Sequence, residues 1–196
     1  MPTSNSANSA PAAKKSWGTS AVREVIRKRY FPDVTLTTQQ GKQVRLYDDL
    51  IKDKIVVMNF FYATCEGICV PLTSNLVKVQ ALLKARVGKD IFMYSFSLKP
   101  ALDTPEVLHD YARRFHAGPG WLFLTGAADD MELVRRRLGF VDPDPAIDAD
   151  KTSHTGMVRY GNEPLQLWSA CPGMSRPDSL VKSILAVDWK GGQRRG

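Results

Sequence analysis

Two cysteines four positions apart are the residues of this 196-residue chain with the clearest chemical potential. Cys65 and Cys69 follow an apolar run, 54–62, and precede Pro71, so we expect them where a strand turns into a helix. A helix N-terminus offers free backbone N–H groups and the positive end of the helix dipole, and both favour a thiolate. Because residues four apart on a helical turn share one side, the two sulfurs can converge. Such a pair can bind a soft metal ion or close into a disulfide.

The three histidines are the candidates for a further metal ligand. His109 and His116 fall on the polar side of a predicted helix, where we expect them to be solvated. His154 lies between an acidic loop and a predicted hairpin, and loops held by rigid elements commonly carry ligands. Two thiolates and one imidazole suit copper in both oxidation states, since sulfur suits Cu(I) and nitrogen suits Cu(II). Zinc would normally need a fourth protein ligand, which Cys171 could supply, and the paired cysteines could instead be buried apolar residues.

The elements that must position these residues alternate between strands and helices. Continuous apolar runs indicate strands covered on both faces, and apolar residues at helical spacing predict amphipathic helices. The pattern predicts an α/β sandwich of thioredoxin-like type, with a central mixed sheet flanked by helices and an N-terminal β-hairpin. In chain order we predict a hairpin of 34–37 and 44–47, a strand at 54–62, a helix after Pro71, a strand at 91–98, a helix beginning around Asp103 and Thr104, a strand at 121–124, a helix ended by Gly139, a hairpin of 157–160 and 165–168 that turns at Gly161 and Asn162, and a helix at 179–187.

The positive charge of the chain is concentrated at its two ends. There are 27 Lys and Arg against 20 Asp and Glu, a net charge of +7 that by itself suggests nucleic acid or a membrane surface as partner. Residues 1–29 have a net charge of +5 and residues 190–196 of +3, which leaves residues 30–189 at −1. We therefore predict a flexible basic linker at 1–29, one thioredoxin-like metal-binding domain at 30–189 and a basic tail at 190–196, with no nucleic-acid partner. No signal sequence and no apolar run of membrane-spanning length is visible, although small polar segments of this kind often follow a removed signal or anchor.

Roughly residues 32–187 resemble the Sco/SenC family of copper chaperones. The resemblance is carried by FFYATCEGICVP, SLKPALDTPEVLHDYARRF, WLFLTG and SHTGMVRYGNE. It implies a thioredoxin fold and one copper ion per chain, as Cu(I) or Cu(II), bound by Cys65, Cys69 and His154. It also implies a role in assembling the binuclear copper centre of cytochrome c oxidase, with the copper-bearing oxidase subunit or another copper protein as partner. Family members usually face the periplasm from the membrane, so the resemblance implies a periplasmic location and allows a tether through a segment preceding this sequence.

The sequence departs from the family pattern near the cysteines. Val70 stands where the family usually has a proline directly after the second cysteine, and Pro71 follows one position later. Lys99 replaces an acidic residue, which changes the charge around the site or on its docking surface. Cys171 is not part of the pattern, and we expect it to be a packed thiol.

The leading interpretation is a copper chaperone, and a thiol–disulfide oxidoreductase is the alternative. In that alternative Cys65 and Cys69 are a catalytic redox pair that reduces copper-ligand cysteines of a partner protein, without copper or His154. The three-residue spacer argues mildly against it, because general thiol oxidoreductases usually have two residues between their cysteines. A peroxidase of the peroxiredoxin type is disfavoured, because Tyr62 stands where such enzymes have a threonine.

Overall fold

The computed structural model of the protein describes residues 20–150 and 156–188, which form a mixed sheet with helices on both faces. The strands are β1 (Thr35–Thr38), β2 (Gln43–Arg45), β3 (Ile55–Phe61), β4 (Ile91–Ser97), β5 (Trp121–Thr125), β6 (Met157–Asn162) and β7 (Leu167–Pro172). The helices are α1 (Ser20–Tyr30), α2 (Cys69–Leu83), α3 (Pro105–Arg114), α4 (Ala128–Arg137), α5 (Pro145–Ala149) and α6 (Pro177–Ala186), with a π-helical segment at Leu46–Ile51 and a 3-10 turn at Lys84–Arg86.

The seven strands form one sheet in the order β2-β1-β5-β4-β3-β6-β7. The central strands β3, β4 and β5 run parallel, and the strands outside them pair antiparallel. This is the predicted mixed sheet, with β1 and β2 as the N-terminal hairpin. None of the described helices combines the length and apolar content that crossing a bilayer requires.

Strand β3 divides the hydrophobic core into two layers, because successive side chains of a strand point to opposite faces. All seven of its residues are buried, as its uninterrupted apolar sequence predicts. One layer, here called the thiol layer, contains both cysteines and is closed by α2, α3 and α6. The opposite layer is closed by α4, the π-helical segment and the residue after α1. Strand β3 contributes Ile55, Val57 and Phe61 to the thiol layer and Val56, Met58 and Phe60 to the opposite layer.

The end of the predicted basic linker is helical and attached to the body of the protein. Residues 20–30 form α1, whereas residues 1–19 lie outside the described part of the chain. The Arg23 guanidinium lies 2.7 Å from the Asp53 carboxylate and 2.5 Å from that of Glu163. These partners are far away in sequence, so the local polar composition that suggested a linker carries no sign of them.

Helix α2 begins earlier than predicted, at Cys69 rather than after Pro71. Pro71 is therefore the third residue of the helix. A proline is tolerated there because the first four N–H groups of a helix have no partner within it. The shift places the second cysteine inside the first helical turn.

The closing hairpin turns later than predicted. Gly161 and Asn162 are the last residues of β6, where they pair with Trp168 and Leu167, and residues 163–166 make the turn. A Cβ on Gly161 would lie 2.1 Å from the Trp168 ring. The glycine therefore makes room for an indole from the neighbouring strand instead of bending the chain.

Candidate metal centre

The two cysteines lie between the end of β3 and the first turn of α2. Cys65 belongs to the connecting loop and Cys69 is the first residue of the helix. Both are buried, with 6% and 0% of their surfaces exposed. The two side chains are hydrogen bonded to each other, with the Cys69 thiol donating to the Cys65 sulfur. The predicted convergence of the sulfurs is thus present, although the loop rather than a helical turn brings Cys65 into place.

The hydrogen bonds around Cys65 favour its thiolate. Burial raises the pKa of this thiol, but hydrogen bonds from the Cys69 side chain and backbone, the Tyr62 hydroxyl and the Gly67 backbone outweigh burial and lower the pKa. Burial raises the pKa of the Cys69 thiol, and its hydrogen bond to Cys65 raises that pKa further. The metal-free pair is therefore asymmetric, because Cys65 ionises readily while Cys69 retains its proton.

Tyr62 connects the first cysteine to the residue that departs from the family pattern. Burial raises the pKa of Tyr62 to about 12, and its hydrogen bond to Cys65 acts in the same direction. The phenol therefore stays protonated and donates to the sulfur. The Lys99 Nζ lies 4.0 Å from the centre of the Tyr62 ring, a cation–π contact with the residue whose hydroxyl donates to Cys65. From the sequence, Tyr62 was notable only as a mismatch to peroxidases, and no local pattern points to this contact.

Asp103 fixes the loop that leads to the cysteines. The residue is fully buried, and its carboxylate accepts hydrogen bonds from the Ala63 backbone N–H at 3.1 Å and from the Ser97 hydroxyl at 2.5 Å. It joins the end of β3 to the end of β4. The helix predicted to begin around Asp103 and Thr104 is α3, and the Thr104 side chain caps it.

The predicted third ligand, His154, lies outside the described residues. The chain on both sides of it approaches the cysteine loop. A Cβ on Gly156 would lie 2.5 Å from Cδ1 of Ile68, the residue directly before the second cysteine. On the other side, the charge of Asp150 is one of the causes that raise the pKa of Tyr62, after burial and the thiol contacts.

Cys171 does not join the other two cysteines. Within 20–150 and 156–188, no three side chains of His, Cys, Asp or Glu are grouped so that they could hold a metal ion. Cys171 is half-buried on β7 and packs against the thiol layer, where burial raises its pKa despite a hydrogen bond with Tyr160. The arrangement gives no support to the zinc alternative. His109 and His116 are exposed, as predicted, although His116 lies beyond the end of α3 rather than on it.

Comparison with known proteins identifies a matching family model and several relatives. A family model described as SCO1/SenC matches residues 25–187. The SCO1 protein homolog of Bacillus subtilis is 34% identical over 93 residues, which are 47% of this chain and 47% of that protein. A putative copper-binding protein of Stutzerimonas stutzeri is 24% identical over 136 residues, or 66% of this chain and 63% of that protein. The chain thus spans between about half and two thirds of the length of these relatives.

Solved structures share the fold at low sequence identity. A SCO1/SenC family lipoprotein from Bacillus anthracis matches with a TM-score of 0.66 and 23% identity, over 81% of this chain and 95% of its own. Copper-bound ScoI from Arabidopsis thaliana matches with a TM-score of 0.63 and 19% identity, over 81% of this chain and 98% of its own. These matches confirm the thioredoxin-like fold. Because the family model covers most of the chain and both paired cysteines, the protein belongs to the SCO1/SenC family.

Proposed function

We propose that the protein is a copper chaperone that binds one copper ion through Cys65, Cys69 and His154. The observation that carries the proposal is the contact between two buried thiols, one of which is surrounded by donors that favour its ionised form. Two converging sulfurs are the ligands that Cu(I) prefers. One relative is named as a copper-binding protein, and one structure with the same fold holds copper.

The position of Gly156 supports His154 as the third ligand. The two residues are only two positions apart in the sequence, which is at most about 7 Å of extended chain. Gly156 lies against Ile68, which is adjacent to Cys69, so the covalent chain lets the imidazole reach the sulfurs. An imidazole adds the nitrogen ligand that Cu(II) accepts, so one site could hold copper in both oxidation states.

The recipient in this proposal is the binuclear copper centre of cytochrome c oxidase, which the protein supplies or maintains. A related structure is described as belonging to the Sco family of cytochrome c oxidase assembly proteins, and another as a lipoprotein. A membrane-anchored position facing the periplasm is part of the same proposal. It is tested by fractionating cells that express the full native gene, where recovery in the cytoplasm would contradict it.

Anaerobic titration of the reduced protein with Cu(I), against a competing chelator, tests the ligand set. Losing a residue that only hydrogen bonds to a metal ligand typically weakens metal binding about 10–100-fold. We expect Cys65→Ser and Cys69→Ser each to weaken Cu(I) binding by more than that. His154→Ala should weaken binding and remove the imidazole contribution from the Cu(II) spectrum. Cys171→Ser and His116→Ala are matched controls that keep wild-type affinity. Unchanged affinity in all three ligand variants would overturn the proposal.

The asymmetry of the thiols favours one second candidate, a thiol–disulfide oxidoreductase. The Cys65 thiolate would attack a partner's disulfide and release one partner thiolate, which takes up a proton. The Cys69 thiol would then lose its proton and attack the mixed disulfide, so the partner leaves with two thiols and the pair leaves oxidised. Metal-free Cys171→Ser protein should then reduce a model disulfide, and His154→Ala should not slow it. A strongly reducing pair that does not react would count against this candidate.

A further inference from the structure

A cavity of about 600 Å³ lies on the face of the sheet opposite the thiols. Helix α1 covers it, the end of α4 closes one side, and β3, β6 and β7 form its floor. Its volume is in the range of pockets that hold small molecules. Its apolar walls are Val25, Ile26, Tyr30, Phe31, Met58 and Leu138.

Helix α1 is held near both of its ends and through Arg27, whose guanidinium lies 5.1 Å from the centre of the Tyr47 ring. Near the N-terminus, Arg23 pairs with Asp53 and Glu163. Just after the C-terminus, the Phe31 ring lies 5.2 Å from the ring of Trp168. Between these contacts Val25 is 65% exposed, so an apolar part of the helix borders the cavity without packing on the sheet. Protein interiors are normally packed without voids larger than a water molecule, so an open apolar space of this size can accept a ligand.

The charged groups that line the cavity are positive. They are Arg29, Arg137 and Arg159, and no acidic residue among 20–150 and 156–188 lines it. In the described part of the chain these guanidiniums form no ion pair with a carboxylate. Arg137 donates to the Arg29 carbonyl at 2.8 Å and Arg159 donates to the Gly139 carbonyl at 2.6 Å.

Two further donors at the cavity have no acceptor. The Nε of Arg159 and the Nε1 of Trp168 are buried and form no hydrogen bond among the described residues. Burial lowers the pKa of the Arg159 guanidinium, because no carboxylate compensates it. Leaving a charged group partly buried and unpaired costs free energy that a bound anion would recover.

We propose that this cavity binds a single-chain amphiphile with a carboxylate head group, a molecule of the fatty-acid type. The apolar walls receive the alkyl chain, and the carboxylate meets the guanidiniums of Arg137 and Arg159. The cavity and the thiol pair lie on opposite faces of β3 and share no residue, so this inference is independent of the proposed copper site.

Titration of the full chain with dodecanoate below its micelle concentration tests the proposal, with the fluorescence of Trp168 as a local reporter and Trp168→Phe as its baseline. We expect saturable binding of one dodecanoate per chain. Dodecanol, which has no charge, should bind at least about tenfold more weakly, since hydrogen bonds to charged groups are stronger than neutral ones. Equal binding of dodecanol and dodecanoate, or no saturable binding, would overturn the proposal.

Two pairs of exposed variants assign the binding to this cavity without disturbing the core. Val25→Glu places a negative charge at the cavity, and Val22→Glu places it elsewhere on the same helix, where the side chain is 49% exposed. Arg137→Met removes a charge from the cavity, and Arg136→Met removes the neighbouring charge, which does not line it. We expect the first member of each pair to weaken dodecanoate binding about tenfold and the second to leave it unchanged. Unchanged binding in both Val25→Glu and Arg137→Met would contradict the assignment.

Discussion

A buried thiol normally resists ionisation, and Cys65 shows how individual hydrogen bonds reverse that tendency. Four contacts favour its thiolate, and two of them come from backbone N–H groups whose positions are set by the turn into α2. The remaining two come from side chains, Cys69 and Tyr62. The Tyr62 contact can be removed by substitution without altering the loop or a metal ligand.

Tyr62→Phe should raise the pKa of Cys65, because it removes one donor to the thiolate while keeping the ring. A net contribution of about 1 kcal/mol for the hydrogen bond corresponds to about a fivefold lower thiolate population at a fixed pH below the pKa. The measurement is the pH dependence of Cys65 alkylation by iodoacetamide in metal-free protein, with Cys171→Ser in the background. Tyr160→Phe is the control, since its hydroxyl bonds Ser169. Coincident pH profiles for wild type and Tyr62→Phe would contradict this assignment.

The residues that could react were predictable from the sequence, but the residues that prepare them were not. The spacing of Cys65 and Cys69 after an apolar run was sufficient to place both sulfurs together. Tyr62 and Asp103 act through contacts with residues on other elements, and no local spacing encodes those contacts. A fully buried carboxylate requires hydrogen-bond donors, but the burial of Asp103 is visible only in the structure.

At the scale of elements, α1 depends on one buried carboxylate. The Glu163 side chain is fully buried and receives hydrogen bonds from Arg23, the Tyr47 hydroxyl and the Asp53 backbone N–H. Burial raises the pKa of Glu163, but these donors, Arg23 first, outweigh burial and lower it. A carboxyl whose pKa is lower in the folded state stabilises the protein above its usual pKa of 4.5 and loses that contribution as the pH falls through the folded value.

Arg23→Met should therefore destabilise the protein at neutral pH by about 2 kcal/mol. Breaking a fully buried pair costs about 3–5 kcal/mol, and the value here is smaller because Arg23 is one-third exposed. The deficit should shrink as the pH is lowered from 7 to about 3, because the Glu163 carboxyl takes up a proton as the pH falls through its lowered pKa. Urea unfolding at both pH values measures it, with the exposed Lys28→Met as control, expected within about 0.5 kcal/mol of wild type. A deficit that does not change with pH would contradict the role of the Glu163 charge.

The contact between Gly156 and Ile68 joins the start of β6 to the cysteine loop. The cost of replacing Gly156 has a backbone part and a steric part, which can be measured separately. Gly156 has a φ of +58°, and an added Cβ would lie 2.5 Å from Cδ1 of Ile68. Gly156→Ala should cost about 1–2 kcal/mol from the left-handed backbone, plus the displacement of Ile68. In an Ile68→Ala background the same substitution should cost only the backbone part. Thermal unfolding of the four proteins measures this, and equal costs in both backgrounds would contradict the steric part.

The elements themselves were largely predictable from the sequence, and the errors have physical causes. Strand β3 is buried on both faces, and its uninterrupted apolar run indicates that environment. Gly161 resembles a turn residue, yet it is paired inside β6 because the Trp168 ring of the next strand occupies its side-chain space. Helix α1 is attached by Glu163, far along the chain. Glu163 is 140 positions from Arg23, and Trp168 meets Gly161 only through the register of the hairpin, so local composition could not reveal either contact.

At the scale of the whole molecule, the proposed copper site adds stability to a fold that already has a complete core. If Cu(I) binds the folded protein only, a free concentration of about 100 times its dissociation constant adds about 2.7 kcal/mol to the free energy of unfolding. We expect a higher melting temperature for the reduced protein with Cu(I), reversed by a chelator. Cys65→Ser should abolish the increase and Cys171→Ser should retain it. An equal increase in both variants would place the copper elsewhere.

Because β3 divides the core, whether a residue of this strand has an odd or an even number tells which layer its side chain faces. Ile55 and Val57 face the side with the thiols, whereas Val56 and Met58 face the side with the cavity. A conservative substitution such as Met58→Leu should thus alter the packing of one layer only. Inserting one residue in the middle of β3 would turn each later side chain of the strand to the opposite face of the sheet. The residues that β3 contributes to the two sites would then change together. The two faces can therefore diverge independently by substitution, whereas any change in the length of this strand affects both at once.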